Sequence, residues 1–153
     1  MWWNKKKKNE DQEQLEIKDL SLKEVRKAIH EFSDHLPDGV ELRTVINEDL
    51  TLDYNLLAPY LKGIPKNTYY MSKETYELFE EQDQQLALDL DLVQRAVDHY
   101  IQQNKELPVI EHDPYLKVNY FKLENAGLLH ERPNRDFYMT DEEHMITYKK
   151  PSE

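Results

Sequence analysis

The sequence predicts an α+β fold: a single compact domain of about four helices with short antiparallel strands or hairpins. Three observations lead there. Two stretches, 22–32 and 90–103, repeat apolar residues at three- and four-residue spacing, as amphipathic helices do. Several other apolar stretches are short, β-prone and bounded by turn residues. Only three glycines occur in 153 residues, too few for an all-β fold with many tight turns or for a glycine-rich nucleotide loop. A chain of this length buries roughly two thirds of its unfolded surface. An apolar fraction of 39% therefore suffices for a core, helped by the large bodies of ten tyrosines.

Residues 1–20 read as a flexible tail, basic and aromatic first and acidic afterwards, followed by the domain over 21–150. The first helix starts at a capping box, Ser21-Leu22-Lys23-Glu24, and carries Leu22, Val25, Ile29 and Phe32 on one face, with charge on the others. Leu36-Pro37-Asp38-Gly39 ends it. Val40, Leu42, Thr44 and Ile46 alternate with polar residues and predict a half-buried strand, with Leu50 and Leu52 as its hairpin partner across Asn47-Glu48-Asp49. A short helix follows over 55–61, irregular because of Pro59, and Gly63 and Pro65 break the chain. Residues 68–71 predict a strand; Ser72 then caps a helix with Tyr76 and Phe79 on one face.

The strongest helix carries Leu92, Val93, Ala96, Val97, Tyr100 and Ile101 over 90–103. A proline-containing connector leads to a helix over 115–125 with Val118, Phe121 and Leu123 inward, terminated by a left-handed Gly127. Residues 137–139 and 145–148 predict a closing hairpin, because Ile146, Thr147 and Tyr148 favour a strand. Thr140 with Glu143 also fits the start of a short helix.

The segments TYYMSKETYELFEE, ELPVIEHDPYLKVNYFKLENAGLL and DFYMTDEEHMITYKKP resemble a small family of uncharacterised soluble proteins from Bacillus-type bacteria, over most of residues 20–151. The resemblance implies a Gram-positive, intracellular origin and no known activity. More locally, the 115–125 helix with Leu123-Glu124-Asn125-Ala126-Gly127-Leu128-Leu129 and Phe137-Tyr138-Met139-Thr140 resembles the recognition helix and wing of winged-helix proteins. That resemblance implies nucleic-acid binding, with Lys117, Lys122, Arg132 and Arg135 as backbone contacts. Two departures weigh against it. The connector between helices is roughly ten residues where a helix-turn-helix uses three or four. Glu111 and Asp113 also stand where phosphate contacts would want cations.

Charge narrows the function classes. The net charge is −11, and setting aside Lys5, Lys6, Lys7 and Lys8 leaves 16 basic against 31 acidic residues, a net of −15 that repels nucleic acid. With no cysteine there is no disulfide, thiol nucleophile or cysteine-ligated zinc, which fits the cytoplasm. No segment approaches the ~20 apolar residues of a membrane span, and the N-terminal lysines lack the apolar run of a signal peptide.

None of the six histidines has an i, i+4 histidine partner or stands in HExxH. His112-Asp113, the one tight His–carboxylate pair, reads as a loop bend ahead of Pro114. No serine stands in GxSxG, and the adjacent carboxylates follow from abundance. No catalytic residue and no cofactor is therefore expected. Tyr69, Tyr70, Tyr115, Tyr120, Tyr138 and Tyr148 read as packing residues before a binding surface.

The N-terminal tip remains. Trp2 and Trp3 are the only indoles and stand beside Lys5, Lys6, Lys7 and Lys8. Indoles favour the headgroup level, and lysines gain on the order of 1 kcal/mol each near an anionic leaflet. The expectation is a non-enzymatic, cytoplasmic interaction module whose partner is another protein. Its tail would weakly contact anionic lipid at the inner membrane face.

Overall fold

The computed structural model describes residues 15–151, so Trp2, Trp3 and Lys5 to Lys8 lie outside the described residues. The architecture is mixed α+β, with four α-helices and three two-stranded sheets among the described residues. The chain groups into two compact units, the first closing at Gln84 and the second running from Gln85.

In the first unit, β1 (Ile17–Lys18) pairs parallel with β2 (Ile64–Pro65). Residues 17 and 18, predicted within the tail, thus lie in a strand. Their register is held by Ile64 N–H donating to the Glu16 carbonyl at 2.8 Å and Lys66 N–H to that of Lys18 at 2.7 Å. The Tyr69 hydroxyl donates to the Leu20 carbonyl at 2.8 Å. Helix α1 (Leu22–Asp34) starts as expected, with Ser21 Oγ accepting from Glu24 N–H at 3.1 Å. It buries Val25, Ala28 and Ile29 and packs on α2 (Tyr54–Leu61), where Phe32 meets Tyr60 edge to face. Asp53 caps α2 and Pro59 lies inside it.

The strand predicted over 40–46 is instead a 3₁₀ turn, Leu42–Val45. Thr44 N–H donates to the Glu41 carbonyl and Ile46 N–H to that of Arg43. The tight winding turns the consecutive Val45 and Ile46 both inward, which a strand's two-residue period forbids. The hairpin expected with Leu50 and Leu52 contracts to one bridge, Ile46 to Leu52.

The helix predicted after Ser72 is absent as well. Tyr70–Met71 (β3) and Leu78–Phe79 (β4) form an antiparallel hairpin. Ser72 caps its turn: Oγ accepts from Thr75 N–H, the carbonyl accepts from Tyr76 N–H, and its own N–H donates to the Glu77 carbonyl, all at 2.9 Å. Cap chemistry served a turn because Ser competes for local backbone groups in either setting.

The second unit is built on α3 (Gln84–Asn104), which begins earlier than the apolar stripe implied. The helix expected over 115–125 occupies only Tyr120–Asn125 (α4). Residues 116–118 are instead drawn out: Leu116 is left-handed (φ 56°), Lys117 bridges Tyr138 and Val118 bridges Val109. Asn119 then caps α4, so Tyr120 and Leu123 face inward and Phe121, expected inward, is 66% exposed. Gly127, at φ 75°, ends α4 with paired bonds, Leu128 N–H to the Leu123 carbonyl and Gly127 N–H to that of Glu124. The closing hairpin is present as β5 (Tyr138–Met139) with β6 (Ile146–Thr147). Tyr69, Tyr70, Tyr120 and Tyr138 are buried and serve packing.

Candidate functional site

In the first unit a cleft of ≈ 300 Å³ opens between α1 and the β3–β4 hairpin. Its floor is apolar: Ile29 from α1, Leu42 from the 3₁₀ turn, and Met71 and Leu78 from the hairpin. Ile29, Met71 and Leu78 are buried there because each faces the unit's core from its own element. Tyr76 borders the cleft in a left-handed conformation (φ 59°), which the Ser72 turn imposes. Such a conformation is uncommon for an aromatic residue and is held by its surroundings. Arg26, His30 and Ser33 of α1 and Glu77 of β4's approach complete the wall.

Arg26 and His30 are half of a longer feature. Lys23, Arg26, Lys27 and His30 recur at the i, i+3, i+4, i+7 spacing that aligns side chains along one helix face. All four are exposed, and none makes an ion pair with another described residue. A chain of net charge −11 thus keeps, among the described residues, a basic stripe without an ion-pair partner beside an apolar-floored cleft. The basic spacing is visible in the sequence, interleaved with the apolar stripe Leu22, Val25, Ile29 and Phe32 on the same helix.

The four cations associated with the winged-helix resemblance behave differently. Lys117 pairs with Asp136 at 3.3 Å, Lys122 with Glu106 at 3.5 Å, Arg135 with Asp89 at 3.0 Å, and Arg132 with Glu124. Each is neutralised locally, so they add no field to attract a polyanion and few counterions to release on binding one. The six-residue α4 is also far shorter than the expected recognition helix.

His112 and Asp113 bend a loop. Asp113 Oδ2 accepts from Tyr115 N–H at 3.1 Å and Lys117 N–H at 2.9 Å, while His112 is left-handed and exposed. Among the described residues no three His, Asp or Glu side chains are grouped so as to hold a metal ion, and no helix is long and apolar enough to cross a membrane.

A family model described as Protein of unknown function (DUF3939) matches residues 15–148. The chain belongs to that family. The match agrees with the expected membership in an uncharacterised family and takes in β1 as well as, up to Tyr148, the segments that suggested it. No curated protein and no solved structure matches the chain.

Proposed function

We propose that the chain is a non-enzymatic interaction module of the cytoplasm that holds a short segment of a partner protein in the α1–hairpin cleft. The segment would place one apolar side chain on Ile29, Met71 and Leu78 and set acidic residues against Lys23, Arg26, Lys27 and His30. One observation carries the reading: among the described residues the basic stripe bordering the apolar floor has no ion-pair partner, so charge and shape select the same ligand. An acidic-apolar segment also resists non-specific association with the acidic remainder of the chain.

Anisotropy of labelled hexapeptides tests this, each with a central leucine or phenylalanine flanked by glutamate or by lysine. Glutamate-flanked peptides are expected to bind, more weakly as salt rises, and to lose most affinity with Arg26→Glu and Lys27→Glu together. Equal binding of the lysine-flanked peptides would contradict the reading.

A second element concerns placement. The segregation of Trp2, Trp3, Lys5, Lys6, Lys7 and Lys8 at one end of an acidic chain supports a weak, reversible tether to anionic lipid at the inner membrane face. The acidic body is repelled by such a surface, but that repulsion is screened beyond ~10 Å.

A further inference from the structure

We propose that a cleft of the second unit, between α3 and residues 128–135, binds a phosphate monoester. The cleft measures ≈ 540 Å³; His130, Arg132, Asn134 and Arg135 line it together with the carboxylates of Asp89 and Glu131, and Leu92 and Leu128 form an apolar wall. Both arginines are held from one side only. Arg135 meets Asp89 Oδ2 through Nε alone, so its two terminal amino groups have no hydrogen bond to a described residue. Asp89 is itself buried and takes a second bond from Gln85 Nε2 at 2.9 Å, which fixes the carboxylate and hence the guanidinium. Arg132 meets Glu124 through Nε and Nη2, leaving Nη1. Tyr120 ties the two together: its hydroxyl donates to the Arg135 carbonyl at 2.5 Å, and its ring lies 5.8 Å from the Arg132 guanidinium carbon. Burial, reinforced by the charges of Asp136 and Asp89, pushes the Tyr120 hydroxyl well above the usual tyrosine range, so it stays protonated and keeps donating.

The ligand class follows from the donors. Three free guanidinium amino groups, an amide and an imidazole exceed what a carboxylate's two oxygens can accept, and suit the three terminal oxygens of a phosphate. The carboxylate partners cancel the arginines' long-range field, which disfavours a polyanion, yet they leave directed short-range donors in place. The volume exceeds that of the bare anion, and Leu92, 39% exposed, offers contact for the rest of the ester.

Calorimetric titration of the full chain with phenyl phosphate, inorganic phosphate and a phosphoserine peptide tests the site. Phenyl phosphate is expected to bind, and Arg135→Gln to weaken it roughly tenfold, the worth of one charge-assisted pair. Arg135→Lys, which keeps the charge beside Asp89 and loses the fork, serves if the first variant fails to fold, and is expected to weaken binding too. Leu92→Ser should weaken phenyl phosphate and spare inorganic phosphate. A tighter phosphopeptide would indicate a modified side chain as the source, a tighter phenyl phosphate a free small molecule; both support the site. No saturable binding of any probe at millimolar concentration, or binding unchanged in a folded Arg135 variant, overturns it.

Discussion

The Gln94 side chain is bonded to the backbone of the β5–β6 hairpin at Ile146: its Oε1 accepts from Ile146 N–H at 2.8 Å, and its Nε2 donates to the nearby His144 carbonyl at 3.0 Å and to Asp98 Oδ1 at 3.0 Å. Gln94 is 4% exposed, so one amide on α3 does for the hairpin what a third strand would do, pairing the N–H of buried Ile146 and the His144 carbonyl. Gln94→Leu preserves volume and strands both groups, which costs about 2 kcal/mol. Urea denaturation should show the loss, with amide exchange at Ile146 accelerated more than at Leu90. Gln94→Glu should cost more at neutral pH than in acid, because the carboxylate cannot donate to His144 and faces Asp98.

The β1–β2 pair makes a second point of failure. A side chain at Gly63 would meet the Glu16 carbonyl at 3.1 Å and Lys18 Cδ at 3.0 Å. The lysine can move, but the backbone oxygen cannot without disturbing the register. Gly63→Val should therefore detach residues 16–18, seen as faster exchange at Ile64 and Lys66 and as new cleavage near Leu20. Gly127→Ala meets no atom within 4 Å and suffers only its left-handed φ, a loss of about 1 kcal/mol without local opening.

The Tyr100 hydroxyl donates to Glu106 Oε1 at 2.5 Å, and Lys122 stands 3.5 Å from the same oxygen. The tyrosine hydrogen bond first, and the lysine charge second, hold the Glu106 carboxyl below its usual range, and the Glu106 bond raises Tyr100 above its own. The signs give two windows. A depressed carboxyl contributes stability above its unfolded pKa, about 4.3, which is lost as pH falls through the folded value. A raised tyrosine contributes below about 10, and the contribution is lost as pH rises through its folded value. Tyr100→Phe should move the Glu106 carboxyl titration upward by NMR and remove the alkaline window. An unmoved Glu106 would contradict the pairing.

Because Trp2 and Trp3 are the only indoles, tryptophan emission reports the N-terminal end alone. Anionic vesicles should shift it to the blue at low salt, neutral vesicles less, and replacing Lys5, Lys6, Lys7 and Lys8 with glutamine should abolish the difference. Emission unchanged by anionic vesicles at low salt removes the tether.

What could be read from residues alone divides by the range of the interactions. Helix α3 was legible because its apolar repeat outruns any strand, and α1 because Ser21 marks its start. The closing hairpin followed from the β-preference of Ile146 and Thr147. Helix α4 was legible in its ending at Gly127, not in its length. The Ser72 turn is not distinguishable from a helix start in sequence, because the same side-chain chemistry caps helices and tight turns. The β1–β2 pair left no local trace, since two-residue strands 47 positions apart are joined only by tertiary packing. The cleft likewise draws on α1, Leu42 and the hairpin, none of which signals the others in sequence.

Nitrogen–proton correlation spectra of the full chain, recorded as a glutamate-flanked leucine peptide is added, bear most directly on the proposed role. The expected perturbations cluster on Arg26, His30, Met71 and Leu78, shrink with added salt, and vanish in the Arg26→Glu, Lys27→Glu variant. Perturbations confined to residues away from α1 and the β3–β4 hairpin, or none at all, would contradict it.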